Sequence, residues 1–329
     1  MITGLTILSL VQDDLQRVEQ KLRSISADAY EPLAQAFLEL LRSGGKRLRP
    51  AVALASYGLF HRRASEKVVA MAAAVEMLHN ATLVHDDLID EALVRRGITT
   101  LNALWSKGAT VLAGDYLFAR AAGFAAETEN IQVVQLFADT LRVICEGELR
   151  QLFSSRQWRQ PKEDYYPRIF AKTASLFAAA TRSGAILAGA STEQEQALYD
   201  FGYNLGMAFQ IVDDVLDYAG DEATLGKPVG GDLRQGIVTL PFYYYLHSLP
   251  DPEVVIGRLE GRERAAREER EALVAEIVAQ VRASGAIQAA LNEARDFTER
   301  AKAALAIFPA GPYRQALCEL ADYGVSRHV

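Results

Sequence analysis

Residues 76–97 read Glu76-Met77-Leu78-His79-Asn80-Ala81-Thr82-Leu83-Val84-His85-Asp86-Asp87-Leu88-Ile89-Asp90-Glu91-Ala92-Leu93-Val94-Arg95-Arg96-Gly97, and the rest of the chain is read outward from them. The run is apolar enough for a core helix, yet it closes on three carboxylates. On a helix, residues four apart share a face, so Asp86 and Asp90 point one way with Asp87 beside them. Carboxylates that close repel one another, and a divalent cation relieves the cost. Mg²⁺ in particular binds one or two carboxylates and keeps positions for water or phosphate oxygens. Arg95 and Arg96 follow at once with guanidinium forks suited to phosphate. Metal ligands and anion clamps in one stretch point to a metal-bound diphosphate.

The spacing recurs in Asp213, Asp214 and Asp217. A single triplet reads as a solvated helix face or a capping cluster. Two, each in a segment too apolar for a surface helix, favour the metal reading for all six carboxylates. Cations are scattered around them: Lys46, Arg47 and Arg49 in a glycine loop at 43–50, Arg95 and Arg96, Lys172, and Lys227. Each alone is an ordinary surface charge. As a set with the two triplets they suit two diphosphates bridged by Mg²⁺. His79, two turns before Asp86, reads either as a core histidine or as a phosphate contact.

Half of the 329 residues are hydrophobic and the net charge is -7 without a basic tail, which speaks against nucleic acid as a partner. Cys145 and Cys318 sit in apolar helical patterns and read as small buried residues, not as a disulfide or a zinc site. No basic leader precedes the first apolar run, and no uncharged apolar segment reaches the ~18 residues of a membrane span. A cytoplasmic protein without a transmembrane segment is the expectation.

Apolar residues recur at helical spacing throughout, with no period-two run that predicts a sheet. Helices are predicted over 15–22, 31–41, 51–60, 109–126, 131–153, 172–189 and 193–218, and over 286–323 apart from a break at 308–312. Another runs to residue 94 with Ser65 as its N-cap. The glycine-rich break at 219–236 reads as a functional loop, and the Arg/Glu mixture at 257–270 as a solvated helix face with internal ion pairs.

Taken together, these motifs resemble those of the trans-isoprenyl diphosphate synthases of the polyprenyl synthetase family, over nearly the whole length. The motifs carrying the resemblance are the Gly44–Gly45–Lys46–Arg47–Leu48–Arg49–Pro50 loop, the first aspartate triplet with Arg95-Arg96-Gly97, Gly114-Asp115-Tyr116, Lys172-Thr173-Ala174, and the second triplet behind Phe209-Gln210. The resemblance implies an all-α, single-domain bundle over 1–329, of roughly ten or more helices around a central cavity (isoprenoid synthase type I fold), and a homodimer. It implies a Mg²⁺-dependent prenyltransferase, with three Mg²⁺ per active site, joining isopentenyl diphosphate head-to-tail to an allylic diphosphate. In such enzymes Asp86, Asp90 and Asp213 hold metal against the allylic diphosphate, which Arg95, Lys172 and Lys227 also contact. Lys46, Arg49, His79 and Arg96 bind isopentenyl diphosphate, and Thr173 and Gln210 present oxygens to the allylic cation. One departure stands out: Ile237 occupies a position commonly filled by lysine.

Product length in this family follows the side chains about a turn before the first triplet. An isoprene unit is about as long as one helix turn, ~5 Å, and here Ala81 and Thr82 are both small, which implies a long-chain polyprenyl diphosphate of the kind used for quinone side chains. The rival readings are a geranylgeranyl or farnesyl diphosphate synthase with its floor at Met77, Leu78 or Phe118, and a non-catalytic subunit of a heteromeric synthase. A terpene cyclase lacks the second triplet, and a di-iron protein needs a second partner for Glu76-x-x-His79.

Overall fold

The side-chain oxygen of Ser65 accepts the Val68 backbone N–H at 3.3 Å and starts the helix that carries the first triplet, as the sequence predicts. The computed structural model describes residues 5–25, 29–42, 45–95, 97–220, 229–262 and 265–326. In chain order its helices are α1 (Thr6–Leu10), α2 (Gln12–Ser24), α3 (Glu31–Arg42), α4 (Leu48–Gly58), α5 (Glu66–Ile89), α6 (Leu101–Leu104), α7 (Lys107–Ala126), α8 (Ile131–Ser154) and α9 (Lys162–Ile169). A π-helical turn (Phe170–Ala174) leads into α10 (Ser175–Ala188) and α11 (Thr192–Ala219). Then come α12 (Gly231–Gln235), α13 (Leu240–Ser248), α14 (Glu253–Gly261), α15 (Arg267–Ala283), α16 (Ala286–Ala304) and α17 (Pro312–Ser326). The all-helical expectation holds, with one small exception.

That exception is a two-stranded hairpin, β1 (Val94–Arg95) against β2 (Ile98–Thr99), where the sequence predicts helix to residue 94. The reason lies in the end of α5. Glu91 adopts φ 52, the Ala92 N–H reaches the Asp87 carbonyl at 2.9 Å, and the Glu91 N–H reaches that of Leu88 at 3.3 Å. This is a Schellman termination, which stops the helix on its last aspartate. Gly97, at φ 78, then lets the chain turn back. The consequence is functional, because the hairpin returns Arg95 to the helix end.

The described residues group into two compact units, each built from separate chain segments. The first takes residues up to 141, 176–202 and 304–320. Its centre is α5, buried on nearly every side and packed chiefly on α7, with α4 and α2 also against it. Gly114 explains how closely α7 approaches, since a Cβ there would lie 2.1 Å from His85 Nε2. Inside this apolar shell Glu76 is only 3% exposed. It takes a hydrogen bond from Arg47 Nη1 at 2.7 Å, while Arg47 Nε donates to Glu19 at 2.5 Å. The loop ahead of α4 is thereby pinned to α2 and α5.

The second unit takes 142–175, 203–303 and the chain from 321. One of its apolar clusters gathers Trp158, Tyr218, Phe242 and Ile277, the other Tyr165, Ile211, Val215 and Phe297. Gly206 of α11 lets the π-helical turn approach, for a Cβ there would stand 2.4 Å from Ala174 Cα. The single helix predicted over 172–189 therefore begins as a π turn, a deviation that recurs at functional sites.

One further expectation needs correction: Cys145 is exposed and Cys318 only half-buried, where the sequence reads both as buried. Among the described residues one helix, α5, has the length and hydropathy to cross a membrane, and 78% of that stretch is buried within the fold, as a core helix is.

Candidate active site

The first triplet occupies the last turn of α5. Asp86 is half-buried, Asp87 is 6% exposed, and Asp90 is exposed as the C-cap residue. Arg95 Nε donates to Asp87 Oδ1 at 2.5 Å. Burial pushes the Asp87 carboxyl up, Arg95 opposes that shift, and the neighbouring charge of Asp90 adds to it. The mutual repulsion read from the sequence is therefore present in the fold. His85 packs edge-on against Phe118 at 5.1 Å and sets the turn on which Asp86 follows.

The candidate cations of the same unit differ in burial and partners. Lys46 is exposed and Arg49 half-buried in the first turn of α4, with its guanidinium 4.9 Å from the Phe177 ring. Arg47 is a structural cation, committed to Glu76 and Glu19. His79 is half-buried and its carbonyl accepts the Thr82 hydroxyl at 2.8 Å. Ala81 is fully buried. Arg96 and Lys227 lie outside the described residues.

The second triplet lies in the last turns of α11. Asp213 is half-buried, whereas Asp214 and Asp217 are each 4% exposed. Asp214 Oδ2 accepts from the Tyr165 hydroxyl and Oδ1 from Gln210 Nε2, both at 2.7 Å. Thr173 Oγ1 donates to Gln210 Oε1, so Thr173, Gln210 and Asp214 form one chain of hydrogen bonds. Burial lifts the Asp214 carboxyl to about 6, against the pull of Gln210, Tyr165 and the charges of Arg168 and Lys172. Lys172 itself is exposed on the π turn. Asp217 Oδ2 accepts the Asp232 backbone N–H at 3.0 Å, and its carbonyl accepts that of Gly230 at 2.7 Å.

Among the described residues no three His, Cys, Asp or Glu side chains converge as a ready-made metal cluster. Asp87, Asp214 and Asp217 show why, each being turned to a protein donor. The donor chemistry nevertheless fits a hard divalent cation: each triplet offers only carboxylate oxygens, and buried or crowded negative charge is what such a cation offsets.

Several participants carry no signal of their own in the sequence. Tyr165 is 49 residues from the carboxylate it binds. Arg168, which acts electrostatically on Asp214, also donates to Gln160 and to the Val238 carbonyl. The same unit opens a cavity of about 650 Å³ whose wall includes Arg168, Phe170 and Ala171, just before Lys172 and Thr173. Ile237 is buried, with its N–H on the Asp232 carbonyl at 2.9 Å, so an apolar side chain suits its surroundings.

Comparison with known proteins agrees with this geometry. The sequence model of the polyprenyl synthetase family matches residues 30–277. The heptaprenyl diphosphate synthase component 2 of Geobacillus stearothermophilus is 44% identical over 72% of this chain and 74% of its own length. The octaprenyl diphosphate synthase of Haemophilus influenzae is 34% identical over 98% of this chain and 96% of its own. Among solved structures, the Caulobacter crescentus polyprenyl synthase complexed with calcium and isoprenyl diphosphate superimposes with a TM-score of 0.90, at 39% identity and 98% coverage of both chains.

Proposed function

The chain belongs to the polyprenyl synthetase family, and from that premise we propose that it condenses isopentenyl diphosphate head-to-tail (1'-4) with an allylic diphosphate, using Mg²⁺, to give an all-trans polyprenyl diphosphate of the long-chain class. We read residues 1–329 as one synthase domain acting in the cytoplasm. The observation carrying this reading is the pair of equally spaced carboxylate triplets, each with a buried middle aspartate held by protein donors. The names of the octaprenyl and heptaprenyl relatives support the long-chain class.

In this proposal Asp86, Asp90 and Asp213 hold the metal, three Mg²⁺ in all, while Asp87, Asp214 and Asp217 fix the ends of the two helices as well as adding negative charge. Bound metal supplies Lewis-acid neutralisation of the allylic diphosphate. Arg95, Lys172 and Lys227 bind that diphosphate and stabilise the charge that grows on it as the bond to the allylic carbon breaks. Lys46, Arg49, His79 and Arg96 hold isopentenyl diphosphate so that its double bond attacks that carbon. Because Thr173 donates its hydroxyl proton to Gln210, its oxygen remains an acceptor beside the positive allyl group. The departed diphosphate takes the final proton.

Two predictions test the finer parts. Replacing Ala81 by Phe puts a bulky ring about one turn before Asp86, and products are expected to shorten by at least about two isoprene units. Thr82→Phe, at a half-buried position, serves as a second probe if the fully buried site is overpacked. Chromatography of the dephosphorylated products reads the effect, and unchanged lengths in both variants overturn the ruler.

The second concerns assembly. In the second unit α8 leaves Leu149, Leu152 and Phe153 exposed, at 53%, 48% and 80%, and such an apolar patch supports a homodimer. Leu152→Glu with Phe153→Glu is expected to convert dimer to monomer in sedimentation equilibrium; a monomeric wild type contradicts it. The Geobacillus relative's name, component 2, favours a second reading in which the chain works with a different subunit. Elongation by the purified chain alone excludes that dependence.

A further inference from the structure

The Arg/Glu mixture at 257–270 is more than a solvated face. Arg258 does pair with Glu276, with Nη1 2.7 Å from Oε1, and Arg159 bridges Glu253 and Glu260. Arg262, Arg267 and Arg270, however, line a cavity of about 360 Å³ in the second unit together with Arg156 and Arg234. Five arginines thus line one cavity in a chain whose net charge is -7. Among the described residues the one carboxylate in the wall, Glu271, is already bonded to Arg234 Nε at 2.7 Å.

A second, independent observation concerns Trp158. It lines the same cavity, is only 5% exposed, and its indole Nε1 has no hydrogen-bond acceptor among the described residues. A buried N–H without a partner costs about 1–3 kcal/mol unless something else satisfies it. The remaining wall is apolar, with Leu259, Leu273 and Val274.

We infer that this cavity is a second anion site, apart from the two aspartate triplets, which takes a phosphate or diphosphate group. Guanidinium forks match phosphate oxygens in pairs, the indole N–H supplies a further donor, and the apolar wall suits an organic tail on the anion. The site also touches the segment that holds the second triplet. Leu233 and Arg234 of α12 form part of the wall, Arg234 Nη1 donates to the Val229 carbonyl at 2.5 Å, and the preceding Asp232 N–H is the donor to Asp217. A ligand on Arg234 therefore steadies the segment against which Asp217 is bonded.

The chain holds two tryptophans, so Trp105→Phe leaves Trp158 as the sole tryptophan, excited selectively over tyrosine at the red edge of the absorption band. With metal removed by a chelator, inorganic diphosphate is titrated into this full-length protein, with sulfate at matched ionic strength as the control. A saturable change in Trp158 emission with diphosphate and none with sulfate is expected. Arg267→Ala with Arg270→Ala, both at exposed positions, is expected to weaken Kd about tenfold or more. A parallel titration with farnesyl diphosphate separates the sources: tighter binding assigns the site to a prenyl diphosphate, equal binding to free diphosphate. Absence of a saturable change, an equal response to sulfate, or an unaltered Kd in the double variant overturns the inference.

Discussion

Asp86→Asn is expected to lower kcat by about three to five orders of magnitude while leaving the fold intact, because several kcal/mol of transition-state stabilisation rests on the charge it contributes. Asp86 is half-buried and Asp90 exposed, so neither substitution opens a cavity. Asn is also tolerated at the end of a helix, where Asp90 sits. Asp213→Asn is expected to behave alike in the second unit. Asp87→Asn makes the contrast. It removes the charge that holds Arg95 at 2.5 Å, so a loss of stability accompanies the loss of rate. Steady-state kinetics beside urea unfolding separates these cases. An Asp86→Asn enzyme within tenfold of wild type would remove the first triplet from the chemistry.

The second large effect concerns stability. Glu76→Ala leaves Arg47, with 15% of its side chain exposed, without the carboxylate that receives Nη1. Breaking a buried pair from one side costs about 3–5 kcal/mol when the charge left behind is uncompensated, and because Arg47 keeps Glu19 at 2.5 Å the lower end of that range is expected. Replacing both partners, Arg47→Met with Glu76→Met, is expected to recover much of that loss, because no buried charge remains and Glu19 lies near the surface with 29% of its side chain exposed. A second consequence is kinetic. Arg47 anchors the loop carrying Lys46 and the start of α4 carrying Arg49, so KM for isopentenyl diphosphate rises in the single variant. Urea unfolding that finds less than about 1 kcal/mol between Glu76→Ala and wild type contradicts the buried-pair account.

These two positions also show what a sequence can disclose. Asp86, Asp87 and Asp90 are legible because their spacing is local: helix geometry converts it into a shared face, and the Ser65 cap starts that helix where expected. Glu76 is not legible in the same way. In sequence it invites pairing with His79 as half of a di-iron site, whereas its partner Arg47 comes from another helix start 29 residues away. Long-range pairs of this kind leave no period to read.

The same reasoning covers the end of α5 and the second cluster. Glu91 in the left-handed region decides where the helix stops, and nothing about a glutamate announces that conformation. Gly97, followed by the β-branched Ile98 and Thr99, is a local hint of the hairpin. The Lys172-Thr173-Ala174 motif is visible, but its π turn follows from the contact of Ala174 with Gly206, and Tyr165 is found only once that contact folds the segment back. Charge mixtures mislead for a related reason. At 257–270 internal ion pairs are the expectation, yet Arg258 pairs outside the segment with Glu276, and the arginines that line a cavity are distinguished only by which way the fold turns them.

The most direct measurement of the central claim is elongation itself. Purified full-length protein is incubated with labelled isopentenyl diphosphate and allylic diphosphate primers of several lengths, with Mg²⁺ or with chelator, and the dephosphorylated products are chromatographed. The account predicts Mg²⁺-dependent elongation to long chains with at least one primer, abolished by chelator. Absence of Mg²⁺-dependent elongation with every primer would contradict it.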